Sequence, residues 1–243
     1  MKISERQTKI LNTIVQEYID SAEPISSELL EKKYDFGICP ATIRIEMQKL
    51  TDKGFLLQPH TSAGRVPTDR GYRFFVDILL ARQNFTKQNL DGLEKGISEI
   101  EETLRGERED IISFIHQLSK YLATASSDLV TIHLLEKDLS WKEGWEEVLM
   151  EPEFEKKGFL FGFTELLENF EENIQDLEIN SGIKVYIGKE NPFPKAKDFS
   201  IISSRCYLPD AQEAILALLG PKRMDYDRNI SLINSLTKIL ENF

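Results

Sequence analysis

Between residues 38 and 74 the chain reads ICPATIRIEMQKLTDKGFLLQPHTSAGRVPTDRGYRF, a run that few folds accommodate. Pro40 suits the first turn of a helix, where its missing N–H would have had no intrahelical partner. From there Ile43, Met47 and Leu50 recur at helical spacing, while Thr42, Arg44, Ile45, Gln48 and Lys49 fall on other faces. Gly54 is a natural stop at the helix C-terminus. Residues 55–57 then read as a strand, His60 to Arg65 as a polar loop tip, and Val66 as the return strand. A short helix running straight into such a hairpin is the arrangement of a winged helix-turn-helix.

The flanking residues agree with that reading. Ser4 and Gln7 have capping-box spacing, in which side chain and backbone satisfy each other's unpaired donors. Ile10, Leu11, Ile14, Val15, Tyr18 and Ile19 form the stripe of a first helix, which should end before Pro24. Ser26 or Ser27 caps a second helix carrying Leu29, Leu30 and Tyr34, and Gly37 allows the turn that follows. Thr68 should cap a fourth helix through Tyr72, Phe75, Val76 and Leu79.

In a helix-turn-helix the N-terminal part of the recognition helix enters the major groove. The candidates for contact are therefore Pro40, Ala41, Thr42, Arg44, Ile45, Gln48 and Lys49. Arg pairs bidentately with guanine, Gln with adenine, and small or apolar groups meet the thymine methyl. On the hairpin tip His60, Thr61, Ser62, Gly64 and Arg65 are candidates, with Gly64 allowing close backbone approach. Arg65 and His60 are placed to reach phosphate or the minor groove. On this division Arg44 carries sequence preference, whereas loss of Arg65 weakens binding to all DNA more evenly. The pattern alone leaves a second reading open, since winged helices also serve as protein-interaction modules.

Charge needs dividing before it informs this choice. The net of −11 looks wrong for a nucleic-acid binder, yet residues 1–75 hold 11 Lys and Arg against 10 Asp and Glu. The acidity thus belongs to the rest of the chain, where it favours solubility and discourages nonspecific DNA contact. Two cysteines, Cys39 and Cys206, lie far apart and suggest a reducing cytosol. No signal peptide or apolar run of about 20 residues is visible, so a soluble cytoplasmic protein is expected.

Downstream, Leu90, Leu93, Ile97, Ile100, Leu104 and Ile111 approach a 3.5-residue repeat, interrupted by Gly92, Gly96 and Gly106. Either this helix pairs two subunits, or it lies on its own domain. Strands are expected at 128–135, 183–187 and 199–207, and Tyr226, Ile230, Ile233, Leu236 and Leu240 line a final helix. Catalysis finds little support. His60, His116 and His133 have no metal-ligand spacing, IGKE is not a P-loop, and 220–224 (GPKRM) reads as a turn rather than an anion site. No cofactor, metal or enzymatic activity is expected.

Several stretches resemble the HrcA family of heat-inducible transcription repressors. They are SERQTKILNTIVQEYIDSAEPISSELL, PATIR, LLQPHTSAGRVPTDRGYRFFVD, KVYIGKEN and GPKRMDYDRNISLI. The resemblance implies an α+β chain, with a winged helix at 1–80, a helical segment at 81–122 and a reduced GAF-like α/β domain at 123–243. It implies a repressor of chaperone genes that binds an inverted-repeat operator as a homodimer and is relieved on heat stress, with a chaperonin partner. By the same resemblance 141–150 is a helix ahead of Glu151-Pro152-Glu153-Phe154, and 211–219 is a strand despite its helical propensity. Cys39 departs from the family's capping Ser, and Ile45-Glu46 from its Asn-Asp pair. The chain is shorter than the family. Between the strand at 128–135 and Trp141 it is expected to lack core strands and an inserted dimerising subdomain. A ligand-sensing regulator acting through the GAF-like domain is the alternative.

Overall fold

The computed structural model describes residues 3–81, 111–174, 182–209 and 212–240. The chain divides into two compact units, Met1–Arg82 and Gln83–Phe243.

In the first unit α1 (Glu5–Ser21) opens on the expected capping box, with Gln7 N–H donating to Ser4 Oγ and Ser4 N–H to Gln7 Oε1. It ends at Ala22, which takes a left-handed conformation ahead of Pro24. Ser26, rather than Ser27, caps α2 (Ser27–Lys33) by accepting from the Leu29 N–H. Helix α3 (Pro40–Asp52) follows, and Gly54 at φ +76° turns the chain out of it. Two short strands, β1 (Leu56–Leu57) and β2 (Val66–Pro67), pair antiparallel as Leu56↔Pro67 and Leu57↔Val66. Phe55 lies outside the strand but is buried. Thr68 Oγ1 accepts from Gly71 N–H at the start of α4 (Asp69–Ala81). Ile10, Leu11, Ile14, Leu30, Ile43, Leu50, Leu56 and Val76 are fully buried between these elements. Each such side chain stabilises the fold by roughly 1.5–3 kcal/mol through removal from water.

The second unit is built on a five-stranded antiparallel sheet in the order β4-β3-β7-β6-β5. Its strands are β3 (Leu129–Leu134), β4 (Leu139–Glu143), β5 (Lys184–Ile187), β6 (Phe199–Leu208) and β7 (Gln212–Pro221). Among the described residues four α-helices accompany them: α5 (Ile111–Ser126), α6 (Trp145–Leu149), α7 (Phe159–Glu172) and α8 (Tyr226–Leu240). Phe163, Leu166, Leu167 and Phe170 of α7 pack on Leu129, Ile201, Ile215, Ala217 and Leu219. The alternate side chains face α5 and α8, where Ser200 Oγ and Tyr226 Oη lie 2.7 Å apart. With both faces covered, β7 is apolar without alternation. That is why a segment of helical propensity forms the strand Gln212–Pro221. The whole is an α+β fold with a GAF-like second unit.

Two expectations need correction. Trp141 lies in β4, not in a helix; the helix begins only at Trp145. A core strand therefore follows β3 directly, paired through Ile132↔Trp141 across a turn in which Asp138 takes φ +50°. Helix α7 was not expected at all. The apolar repeat from Leu90 to Leu104 lies outside the described residues. Its continuation from Ile111 belongs to α5, which buries Phe114, Ile115, Leu118 and Leu122 and packs against β3, β4 and α8 of its own unit.

Candidate nucleic-acid interface

Helix α3 presents one apolar and one open face. Ile43, Met47 and Leu50 point into the core, and Ala41, Arg44, Ile45, Gln48 and Lys49 are exposed. Pro40 and Thr42 are half-buried at its start. Ile45 is 54% exposed, a sizeable apolar side chain with no core role and a fit for a thymine methyl. At the N-cap Cys39 makes no side-chain bond to the helix backbone; its Sγ lies 3.3 Å from Thr42 Oγ1 instead. The Thr42 hydroxyl is the main influence holding this exposed thiol below its ordinary pKa.

Glu46 turns inward and is buried. Its carboxylate accepts from Gln7 Nε2 at 2.7 Å and Lys49 Nζ at 2.9 Å, tying α3 to α1. Lys49 is therefore committed to Glu46, whose pKa it lowers.

The hairpin tip shapes itself. Gln58 Nε2 donates to the carbonyls of Thr61 (2.8 Å) and Ala63 (3.0 Å), and Ala63 N–H donates to His60 O. His60, Thr61 and Ser62 are exposed, with Ser62 Oγ 3.3 Å from His60 Nδ1. At the root, Arg65 exchanges both backbone hydrogen bonds with Ile25, a bridge that adds the α1–α2 connection to the hairpin. Gly64 makes that bridge possible. A Cβ there would come within 2.4 Å of the Ile25 carbonyl carbon and oxygen. Its close approach is thus to the protein's own backbone.

Between α3 and the hairpin lies a groove of about 350 Å³, lined by Ser26, Ser27, Glu28, Arg44, Met47, Gln58 and residues 61–65. Of the residues expected from sequence it gathers Arg44, Thr61, Ser62, Gly64 and Arg65. Pro40, Ala41, Thr42, Ile45, Gln48, Lys49 and His60 do not line it. Arg44 reaches across to α2, where Nη2 pairs with Glu28 and Nε donates to Ser27 Oγ at 3.4 Å. Arg65 folds back onto α3 instead of toward the tip, donating to Thr51 Oγ1 (3.1 Å) and Gln48 Oε1 (2.9 Å). Glu28, Thr51 and Gln58 were not expected here. No local spacing links Glu28 to Arg44, and only the hairpin's position along Gln58–Pro67 hinted at Gln58.

The model of the HrcA protein C terminal domain matches residues 74–230, more than half of the chain. The chain belongs to the HrcA family. A Natranaerobius thermophilus protein named heat-inducible transcription repressor HrcA is 31% identical, with 99% of this chain and 98% of that one covered. The Thermoanaerobacter pseudethanolicus HrcA is 30% identical, at 100% and 97% coverage. The first of these alignments runs over 336 positions, so this HrcA relative holds residues that the 243-residue chain lacks. A crystal structure described as a hypothetical protein shares the fold, with TM-score 0.79, 21% identity, and 99% and 98% coverage. Among the described residues no cluster of His, Cys, Asp or Glu could hold a metal, and no helix is long and apolar enough to cross a membrane.

Proposed function

We propose that this HrcA-family chain represses heat-shock (chaperone) genes by binding an inverted-repeat operator as a homodimer, with relief on heat stress and a chaperonin as partner. The observation that carries the reading is the exposed face of α3 set beside a hairpin, in a stretch (residues 1–75) whose 11 Lys and Arg offset its 10 Asp and Glu. Pro40, Ala41, Thr42, Arg44, Ile45, Gln48 and Lys49 face the major groove, and His60, Thr61, Ser62, Gly64 and Arg65 form or support the wing. The α3 N-terminus favours a phosphate through the positive end of its helix dipole. Arg44 is released from Glu28 when it meets a base edge, an exchange of one charge-assisted bond for another.

Gel-shift titration with an inverted-repeat duplex and a scrambled duplex of equal length, at several salt concentrations, tests this. A preference of at least tenfold for the repeat is expected, with affinity falling as salt rises. Equal affinity for both duplexes overturns it. Arg44→Ala should remove most of that preference.

A second reading, a ligand-sensing regulator, is favoured by one observation. On the α7 face of the sheet Thr131 Oγ1 and Ser203 Oγ are buried without hydrogen-bond partners among the described residues. Such groups cost free energy unless something polar meets them. A metabolite panel that raises the melting temperature of the full chain, and fails to do so for Thr131→Val, would support it.

A further inference from the structure

The geometry points to Arg65 as a specificity-determining brace for the recognition helix, acting through Gln48 rather than by contact with phosphate. This rests on the DNA-binding reading above. Three observations converge. First, the backbone of Arg65 is fixed on both sides by Ile25, at 2.8 and 2.9 Å, with Gly64 packed against the same carbonyl. The root of the side chain is therefore anchored to the protein, not to the exposed tip. Second, the guanidinium spans two acceptors on one face of α3, Gln48 Oε1 and Thr51 Oγ1, which are three residues apart and hence neighbours. A planar fork of donors suits that span, whereas a single ammonium would reach one of them. Third, the other end of the Gln48 amide is also held, with Nε2 donating 2.8 Å to Asp52 Oδ1.

Together these fix the orientation of the amide. Reversing it would set N–H groups against the guanidinium and oxygen against the Asp52 carboxylate. A glutamine amide offers two acceptor sites and two N–H groups, so Arg65 and Asp52 use one of each. One acceptor site and one N–H remain on an exposed helix position, the set that adenine requires in the major groove. A side chain held this way loses little freedom on binding.

Selection of duplexes from a random-sequence library by the full-length chain, followed by sequencing, tests the brace. The same library is used with Gln48→Ala, Arg65→Ala and Arg65→Lys, and affinity for a fixed random duplex is measured across salt. Arg65→Ala is expected to relax preference at the same positions as Gln48→Ala, by about tenfold, while random-duplex affinity changes by less than about threefold and the salt slope stays put. Arg65→Lys should fail to restore the preference, although it keeps the charge. If Arg65→Ala weakens every duplex equally and lowers the salt slope by about one, and Lys restores binding, Arg65 is a phosphate contact and the brace is wrong. Absence of any selected sequence with the unaltered chain overturns the DNA-binding reading itself, and the brace with it. Should Arg65→Ala fail to fold, Thr51→Val removes one support of the fork. It must then relax the same positions partially, and unchanged preference would overturn the proposal.

Discussion

Gly64 illustrates how a single residue sets the geometry of the candidate interface. The missing Cβ lets the hairpin root approach the backbone of Pro24 and Ile25, where a Cβ would meet oxygens at 2.7 and 2.4 Å. Backbone atoms cannot swing aside as a flexible side chain can. Gly64→Ala should destabilise the first unit by about 1–3 kcal/mol, the usual cost of overpacking, and move Arg65 off Gln48 and Thr51. Both tryptophans, Trp141 and Trp145, belong to the second unit. Denaturation of the full chain should therefore show an earlier helix transition at 222 nm with the tryptophan fluorescence transition unmoved. A shift in both, or in neither, would mean that the close approach is not what holds the hairpin.

At the scale of elements, the start of α3 is underbuilt. Cys39 takes the extended conformation of an N-cap, yet offers the helix no side-chain acceptor. Cys39→Ser should add a stronger acceptor for the first-turn N–H groups and stabilise the first unit by about 0.5–1 kcal/mol in the same 222 nm transition. No gain, or a loss, would show that the Sγ–Thr42 contact already satisfies this end. Glu46 does the opposite kind of work, joining α3 to α1 through Gln7. Glu46→Ala leaves the Gln7 amide buried without that acceptor and should cost about 1–3 kcal/mol. An unchanged midpoint would count against the tie.

The same elements show what sequence makes legible. Ser4 with Gln7, Pro40, Gly54 and Thr68 each announce a boundary through backbone chemistry that tertiary context does not alter, so the first unit can be read almost element by element. Strand β4 could not be. It is a half-exposed edge strand, and its hairpin turns at Asp138 without the Gly or Asn that usually marks such a turn. Helix α7 begins FLFGF, where Gly162 and crowded aromatics obscure the helical period until Phe163, Leu166, Leu167 and Phe170 are seen to share one face. For the candidate interface, residue types and exposure were readable along α3. The ties from Arg65 to Gln48 and from Arg44 to Glu28 span 17 and 16 residues and depend on where the fold brings them.

Across the whole molecule, the two units should respond to pH in opposite ways. In the first, Glu46 and Glu17 are held below the ordinary carboxylate value of 4.5, chiefly by hydrogen bonds from Lys49 and Lys33 respectively. A depressed folded pKa contributes stability that is present above 4.5 and is lost as pH falls through the folded value. In the second unit Asp128 is fully enclosed, with Oδ2 accepting from Asn229 Nδ2 at 2.6 Å and Gly220 leaving room for the carboxyl. Burial pushes its pKa from 3.8 up to about 8. Here the folded state holds a proton that the unfolded chain has released. Its contribution is complete below 3.8 and is lost as pH rises toward 8. His133, buried and held below 6.5 by desolvation, acts in the reverse sense, since its neutral form is lost only as pH falls. The window from about 6.5 to 8 therefore isolates Asp128. Over it, the tryptophan-monitored transition should move to lower denaturant by an amount on the order of a kcal/mol or more, while the first unit stays level. Asp128→Asn preserves the acceptor for Asn229 and cannot ionise, so its transition should be flat across the same window. If the unaltered chain is flat as well, Asp128 is not protonated in the folded state at neutral pH. The carboxylate must then be stabilised by charges such as Arg228, whose Nη2 donates to the Ser126 carbonyl nearby.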